Sequence, residues 1–528
     1  MTLHEIFRLL EKSEIEIGLD DGVLKVLDPQ GNLDDDIRSV LQQKRDEITN
    51  FLSKKTNYTP SDFPYASSFV DQVYLDALQK KYPGLERVYA TAPMQEGMVF
   101  HGLLDGTGAS YTNQTYVDLS GQLDIEAFKR AWSFIIARYD IFRTCFVGLD
   151  KEKIQQLVLK RVELPLQLED WRSLTEDSQF KKLEQYRISD NAKGFDFARA
   201  PLMRFSLIRL SDERYHFIWS YHHVLLDGWC QPLVFREFFE AYKAYSQGDT
   251  PSFCDVAPYE RYIGWLASQN REKARNFWSE ELAGIKAPTP LVIDGATSEN
   301  RGTQCVHLEL ASDVSLKLEE LARRSRCTMN VVVQAAWAYI LHRYSGETDI
   351  VFGSTLSGRP GDLPGVETMM GLFINSIPIR VVFSDNLCLG SLLSDIHQKN
   401  VEREEYGYLS LAEIQGQSGI TNGTSVFQSL LLYQNYPTNL SNKMSAGGGS
   451  ADLKVLSSGH EAQVPYPLEF RAHCQETLNL DLLYDSKMFT HEIVTRLSNH
   501  FVRVLTGMAA ADLGDKIQSL PILTQSEE

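Results

Sequence analysis

Apolar side chains in residues 1–55 switch between helical and strand spacing. Leu3, Ile6, Phe7 and Leu10 lie three or four apart behind Thr2-Leu3-His4-Glu5, a capping box that predicts a helix start. Ile15-Glu16-Ile17 and Val23-Leu24-Lys25-Val26-Leu27 then flank Asp20-Asp21-Gly22, a strong hairpin signal. After Asp28-Pro29-Gln30-Gly31-Asn32, the residues Ile37, Val40, Leu41, Ile48, Phe51 and Leu52 form one apolar face over one helix or two. The pattern predicts a small helix-hairpin-helix unit, with the Lys-, Thr-, Pro- and Ser-containing stretch 56–67 as its tether. So little core and an edge strand suit a recognition module that takes an extended peptide as an added strand along Val23, Leu24, Lys25, Val26 and Leu27. A stabilising appendage is the plain alternative.

Beyond residue 67 strand-like and helix-like segments alternate, which predicts a layered α/β or α+β body. Ala131-Trp132-Ser133-Phe134-Ile135-Ile136-Ala137-Arg138-Tyr139 is echoed by Ala336-Trp337-Ala338-Tyr339-Ile340-Leu341-His342-Arg343-Tyr344, 205 positions later. Each reads as an amphipathic helix followed by a strand, over 140–146 and 349–354, and the shared order favours two related lobes, 68–268 and 269–528.

One stretch carries candidate chemistry. His216-Phe217-Ile218-Trp219-Ser220-Tyr221 reads as a strand, and His222-His223-Val224-Leu225-Leu226-Asp227-Gly228 follows it into a helical segment ending near Ser246. Side chains alternate along a strand, so the two imidazoles face opposite ways and cannot share one job. Taken alone, the stretch favours the structural reading, with both rings as hydrogen-bonded core or turn residues, over a chemical one. The echoed half has no counterpart of this turn, so a duplicated body carries a single site.

Composition narrows the function classes. The 52 basic and 70 acidic residues leave a net charge of −18, which argues against nucleic acid or an anionic membrane as partner. The seven cysteines are scattered and never form C-x-x-C, the usage of reduced thiols rather than disulfides or zinc ligands; no metal site is expected. Neither a secretory signal nor an apolar run of about 20 residues is present, so the expected location is the cytoplasm.

Seven segments in order give the chain its resemblance. They are Ala92-Pro93-Met94-Gln95-Glu96-Gly97-Met98, Arg138-Tyr139-Asp140-Ile141-Phe142-Arg143-Thr144, the double-histidine turn, Tyr259-Glu260-Arg261-Tyr262-Ile263-Gly264-Trp265, Gly353-Ser354-Thr355-Leu356-Ser357-Gly358-Arg359-Pro360, Gly371-Leu372-Phe373-Ile374-Asn375-Ser376 and Leu432-Tyr433-Gln434-Asn435-Tyr436-Pro437. With them the chain resembles the condensation domain of nonribosomal peptide synthetases, preceded by a docking domain of the tubulysin-synthetase type. Leu520-Pro521-Ile522-Leu523-Thr524 resembles the junction to a downstream adenylation domain.

The resemblance implies two chloramphenicol-acetyltransferase-like lobes in a V with a tunnel between them. It implies donor and acceptor carrier proteins as partners, each delivering an aminoacyl or peptidyl thioester on a 4'-phosphopantetheine arm, and no cofactor held by the chain itself. The docking unit would bind the C-terminal tail of an upstream synthetase subunit. The reaction implied is attack of the acceptor amine on the donor thioester. His223 takes the chemical role, as hydrogen-bond acceptor, base or stabiliser of the intermediate. His222 supports the site, and Gly228 either lets the backbone pass close to a bound arm or is a plain turn glycine. Asp227 is either a second acid or a brace; a buried carboxylate is expensive unless paired, which favours the brace, with Arg143 as the partner the resemblance supplies. Trp229 and Asn375 are candidates for lining the tunnel or binding an arm. An epimerisation domain shares the double-histidine turn, and a non-catalytic recruitment domain shares the fold; both stand as alternatives. Donor chirality and the identities of the amino acids are not written in these motifs.

Overall fold

A computed structural model describes Ile6, Leu10, Ser13 and residues 15–20, 23–28, 33–54, 58–151, 153–291, 302–420, 425–434, 453–462, 466–474 and 476–528. The chain divides into two compact units, 1–89 and 90–528.

In the first unit β1 (Glu16–Asp20) and β2 (Val23–Leu27) pair antiparallel, with Ile17 opposite Val26 and Leu19 opposite Leu24. Helices Asp35–Gln43 and Arg45–Lys54 follow, divided at Lys44. The first starts where the Asp34 carboxylate accepts the Ile37 N–H at 2.7 Å, an N-cap that satisfies one of the orphan amide donors. Ile6, Leu10, Ile15, Ile37, Leu41 and Ile48 make a small buried cluster, and Ile17, Leu24 and Val26 pack on it while Lys25 faces outward. The capping box at Thr2 and the turn at Asp21-Gly22 lie outside the described residues. So does most of the hairpin exit, Pro29 to Asn32. A further helix, Gln72–Lys81, belongs to this unit, whose boundary at Tyr89 lies past the stretch 56–67 read as tether.

The remaining strands run in chain order as β3 (Leu85–Ala90), β4 (Thr112–Gly121), β5 (Thr144–Val147), β6 (Gln155–Leu159), β7 (Leu166–Asp170), β8 (Met203–Arg209) and β9 (Arg214–His222). There follow β10 (Thr303–Glu309), β11 (Asp349–Leu356), β12 (Asn375–Val382), β13 (Ser429–Gln434), β14 (Leu453–Ala462), β15 (Leu468–Cys474) and β16 (Leu478–Asp485). Two large sheets organise the second unit: one of five strands, ordered β14-β4-β9-β8-β7, and one of six, ordered β10-β16-β15-β13-β11-β12.

The echoed helices each sit on one of these sheets. Trp132, in helix Ile125–Arg138, is buried against Phe205, Phe217 and Trp219 of the five-stranded sheet. Trp337, in helix Met329–Ser345, is buried against Phe470 of the six-stranded sheet, and its indole N–H donates to Ser429 Oγ at 3.2 Å. The echo therefore marks the residue that anchors a helix to its sheet, where a large ring buries the most apolar area per side chain.

Two expectations need revision. Residues Asp140–Arg143 form a single 3₁₀ turn, and the strand begins only at Thr144; Asp140 and Thr144 are tied there by a hydrogen bond from Thr144 Oγ1 to the Asp140 carbonyl at 2.9 Å. The stretches 68–268 and 269–528 are also not self-contained. Strand β14, from the second half of the chain, pairs antiparallel with β4 from Leu453 opposite Gly121 to Ala462 opposite Asn113, so it completes the first-half sheet. Sheet membership depends on a long-range pairing that local patterns do not encode.

Candidate active site

Strand β9 carries the site. It is buried along nearly its whole length and pairs with β4 so that His222 stands opposite Thr112. The His222 N–H bonds the Leu202 carbonyl at 3.0 Å and the His223 N–H bonds the Tyr111 carbonyl at 2.9 Å, so the strand ladder holds both histidines in place. The chain then makes a 3₁₀ turn, His223–Leu225, and enters helix Cys230–Ser246.

The two imidazoles do point apart. His222 is fully buried among Phe195, Phe197 and Tyr111, with the Phe197 ring centroid at 4.8 Å, and its Nδ1 accepts the Val224 N–H at 3.1 Å. Burial, followed by the nearby His223, pushes its pKa down to about 3, so the ring is neutral at every working pH. His223 turns into a cavity of about 630 Å³. Protein surrounds it on all sides although part of its surface meets the cavity, and this enclosure lowers its pKa as well. Its Nδ1 is sealed from solvent without a partner of ordinary geometry, and its own backbone carbonyl is the polar group that most favours ring protonation. Nε2 is left as the ring nitrogen a bound molecule can reach.

Asp227 lies beneath this turn, 2% exposed. One oxygen faces Arg359 Nη2 at 3.4 Å and accepts from the Cys230 thiol at 3.3 Å, and the other accepts the Phe373 N–H at 3.2 Å. Arg359 donates to the Met369 carbonyl at 3.0 Å and to that of Val366, and it stacks over the Phe373 ring at 4.0 Å. The loop from Ser357 to Phe373 is thus tied to the histidine turn through the Asp227–Arg359 pair. Gly358 makes the approach feasible: its φ is +62°, and a Cβ there would lie 1.7 Å from the Phe373 carbonyl oxygen. Arg143 is buried and donates to the Leu159 carbonyl.

The other sequence candidates distribute as follows. Gly228 and Trp229 line the cavity, and the Trp229 indole N–H donates to the Glu367 carbonyl at 3.2 Å. Ile374 and Ser376 line it too, whereas Asn375 between them commits its carboxamide to backbone, donating to Gly407 and Leu409 carbonyls at 2.7 and 2.6 Å and accepting the Ser376 N–H at 3.0 Å.

One residue behind the turn and three that line the cavity are not marked by local sequence pattern. Gln95 is fully buried; its carboxamide oxygen accepts the Ala92 N–H at 2.8 Å, and its nitrogen donates to Gln156 at 2.9 Å and to the Val224 carbonyl at 3.1 Å. It pins helix Pro93–Leu104 to the turn beside His223. From β15 come Glu469, 3% exposed, and Arg471, paired through Nε to Oε1 at 2.7 Å. From β14 comes His460, whose Nδ1 lies 3.1 Å from Thr115 Oγ1. His460 is open to the cavity yet walled in by protein, and that enclosure, then Arg471 and His223, lowers its pKa. The signal that could have found Glu469 and Arg471 is their i, i+2 spacing across Phe470, which places both on one sheet face.

The cavity therefore offers a neutral imidazole, two carboxylates held by cations, and an apolar wall from Met94, Met98, Leu226 and Pro232. It can position an amine and a carbonyl and accept a hydrogen bond or proton; no group of ≥ 3 metal-ligating side chains occurs among the described residues. Also among the described residues, no helix is long and apolar enough to cross a membrane.

Comparison with known proteins agrees with this architecture. A linear gramicidin synthase polypeptide of Brevibacillus parabrevis is 37% identical over 474 residues, covering 89% of this chain and 6% of that protein. Chondramide synthase of Chondromyces crocatus is 32% identical over 520 residues, covering 90% of this chain and 13% of that one. The chain thus spans a small part of the synthases it matches. Among solved structures, the complex of the X-domain and OxyB from teicoplanin biosynthesis aligns with a TM-score of 0.70 at 23% identity, covering 83% of this chain and 96% of that chain. The starter condensation domain of rhizomide synthetase RzmA aligns at 0.67 and 19%, covering 83% and 98%. These likenesses establish a mixed α/β condensation-domain fold. With the condensation domain family matched over residues 85–528, the chain belongs to the condensation domains of nonribosomal peptide synthetases, acyltransferases that form peptide bonds.

Proposed function

We propose that this chain joins a donor aminoacyl or peptidyl thioester to an acceptor amine, both delivered on phosphopantetheine arms of carrier proteins, at His223. The observation that carries the reading is the neutral imidazole of His223 at the wall of a 630 Å³ cavity, its Nδ1 sealed and its Nε2 available.

The chemistry asks little of the protein. A thioester is already activated, so no covalent nucleophile is required. A free α-amine has a pKa of about 7.7 to 8.0, so much of it is neutral near pH 8. Holding amine and carbonyl at near-attack distance supplies about 7 to 11 kcal/mol, against roughly 3 to 5 kcal/mol for 10²- to 10⁴-fold general acid–base help. His223 accepts the hydrogen bond of the attacking amine and keeps its lone pair aimed at the carbonyl. A ring with depressed pKa stays unprotonated and able to accept at neutral pH. His222 and Gln95 hold the turn, and Asp227 with Arg359 braces it. Arg143 supports β5 and β6 beneath.

The first unit docks an upstream synthetase polypeptide. Among the described residues β1 and β2 pair only with each other, and Leu24 and Val26 face the small core while Lys25 points out. The tail of the upstream chain adds along Val23 to Leu27 by backbone hydrogen bonding. An adenylation domain downstream would supply the acceptor amino acid in the full-length synthetase.

The test is dipeptide formation between two loaded carriers. His223→Ala abolishes transfer while the circular dichroism and melting temperature stay those of the parent; transfer at the parent rate contradicts the reading. A parent chain that binds carriers but makes no dipeptide favours a recruitment role instead.

A further inference from the structure

Tyr111 is the cross-strand neighbour of His223. Its carbonyl receives the His223 N–H at 2.9 Å, its side chain lines the same cavity, and its φ is +64°, a left-handed conformation that a bulky non-glycine residue seldom adopts. Such an outlier held beside a reactive group points to function, because the surrounding structure must over-determine it. The bend at Tyr111 stops β4 from running on, and both Tyr111 and His223 face the cavity.

The phenol is equipped to donate. Tyr111 makes no side-chain hydrogen bond among the described residues, though Tyr466 and the Glu469 carboxylate also line the cavity. Burial, then the charge of Glu469, pushes its pKa up to about 12, so the hydroxyl keeps its proton throughout the working range. Three polar side chains around the turn are already committed: Gln95 to Val224, Asp227 to Phe373 and Arg359, and Asn375 to Gly407 and Leu409.

We propose that the Tyr111 hydroxyl is a catalytic group that donates a hydrogen bond to the donor carbonyl oxygen as it becomes an oxyanion. This rests on the condensation reading of the site. An amine held at His223 Nε2 attacks a carbonyl carbon about 3 to 3.5 Å away, and the phenol that lines the same cavity from the neighbouring backbone position is the donor for the carbonyl oxygen. In the step, the amine lone pair forms the C–N bond and the C=O π pair moves to oxygen, where the Tyr111 O–H meets it. Collapse of the intermediate restores C=O and breaks C–S. The proton lost by the amine passes by way of His223 or water to the departing thiolate, giving the thiol, so nothing further is consumed.

Tyr111→Phe keeps the ring, the backbone carbonyl and the left-handed preference of the position unchanged and removes only the donor. Single-turnover dipeptide formation should fall about 10²- to 10³-fold, the usual loss for one oxyanion donor, with carrier affinity and melting temperature unaltered. Infrared difference spectra of a bound ¹³C-labelled acyl-pantetheine thioester should show the carbonyl stretch at lower frequency in the parent than in the Phe variant. If Phe prevents folding, 3-fluorotyrosine at position 111, a more acidic isostere, should lower the stretch further. A parent-like rate with a parent-like carbonyl band overturns the assignment. If the parent itself makes no dipeptide, the condensation reading fails, and the carbonyl band still decides whether Tyr111 touches the acyl oxygen.

Discussion

The Asp227–Arg359 pair separates a brace from a catalytic acid. At 3.4 Å, with both side chains under one-tenth exposed, the gross attraction at an effective dielectric of 20 is about 5 kcal/mol. Most of that is offset by desolvating the two ions, so the pair itself adds little; removing one partner, in contrast, strands the other charge and costs about 3 to 5 kcal/mol. Asp227→Ala should lose that much. Asp227→Asn retains an acceptor for the Phe373 N–H and leaves Arg359 its carbonyl contacts at Val366 and Met369, so the loss should sit near 3 kcal/mol. Urea unfolding followed by tryptophan fluorescence reads these values. A cycle with Arg359→Gln should give a coupling of about 1 to 3 kcal/mol, and dipeptide formation should recover in part in the double variant, as the stranded charge is gone. An Asp227→Asn chain within about 0.5 kcal/mol of the parent that nevertheless loses 10²- to 10⁴-fold in rate would refute the brace and make Asp227 an acid.

Three other outcomes are expected. His222 has a folded pKa of about 3 against roughly 6.5 when unfolded, so below pH 6.5 the unfolded chain takes up a proton that the folded chain refuses; stability is present above that pH and falls as pH drops, by about 1.4 kcal/mol for this group between pH 7.5 and 5.5. His222→Gln should remove that increment of acid sensitivity in urea titrations at the two pH values, and an unchanged pH slope would count against it. Gly459→Ala places a Cβ 2.2 Å from the Tyr116 ring, so β14 must shift, with a loss of about 1 to 3 kcal/mol and a slower transfer as His460 moves; a parent-like melting curve would show that the crossing strand is looser than described. Deleting residues 1–55 should weaken delivery by the natural upstream synthetase while sparing a donor carrier supplied at high concentration, and equal loss in both assays would contradict a docking role for the first unit.

What the sequence could disclose was what lies close in sequence or carries a distinctive residue. The switch from strand to 3₁₀ turn at His222-His223 follows from strand alternation and the Asp227-Gly228 turn, and the opposite facing of the two rings came from the period of two alone. The helix anchors Trp132 and Trp337 were visible as an echo. Less visible was everything that depends on which strands meet. β14 arrives some 330 residues after β4 and brings His460 with it, and Leu468-Glu469-Phe470-Arg471 reads locally as a strand with one wet face although Glu469 is almost fully buried. Arg359 lies in the segment Gly353 to Pro360, but its pairing with Asp227 spans 132 positions, beyond any local pattern. Asp140 departs from the expected strand for a local reason: its side chain accepts the Ile141 N–H at 2.9 Å, competing with the strand ladder as short polar side chains do.

Peptide-bond formation here requires an amine held at His223. The most direct measurement is a crystal structure of the chain with a stable acceptor analogue on a pantetheine arm, its primary amine intact. The amine nitrogen should lie within about 3.2 Å of His223 Nε2, inside the cavity. An amine seated against Asp227 or outside the cavity, with His223 Nε2 bonded to protein alone, would contradict it.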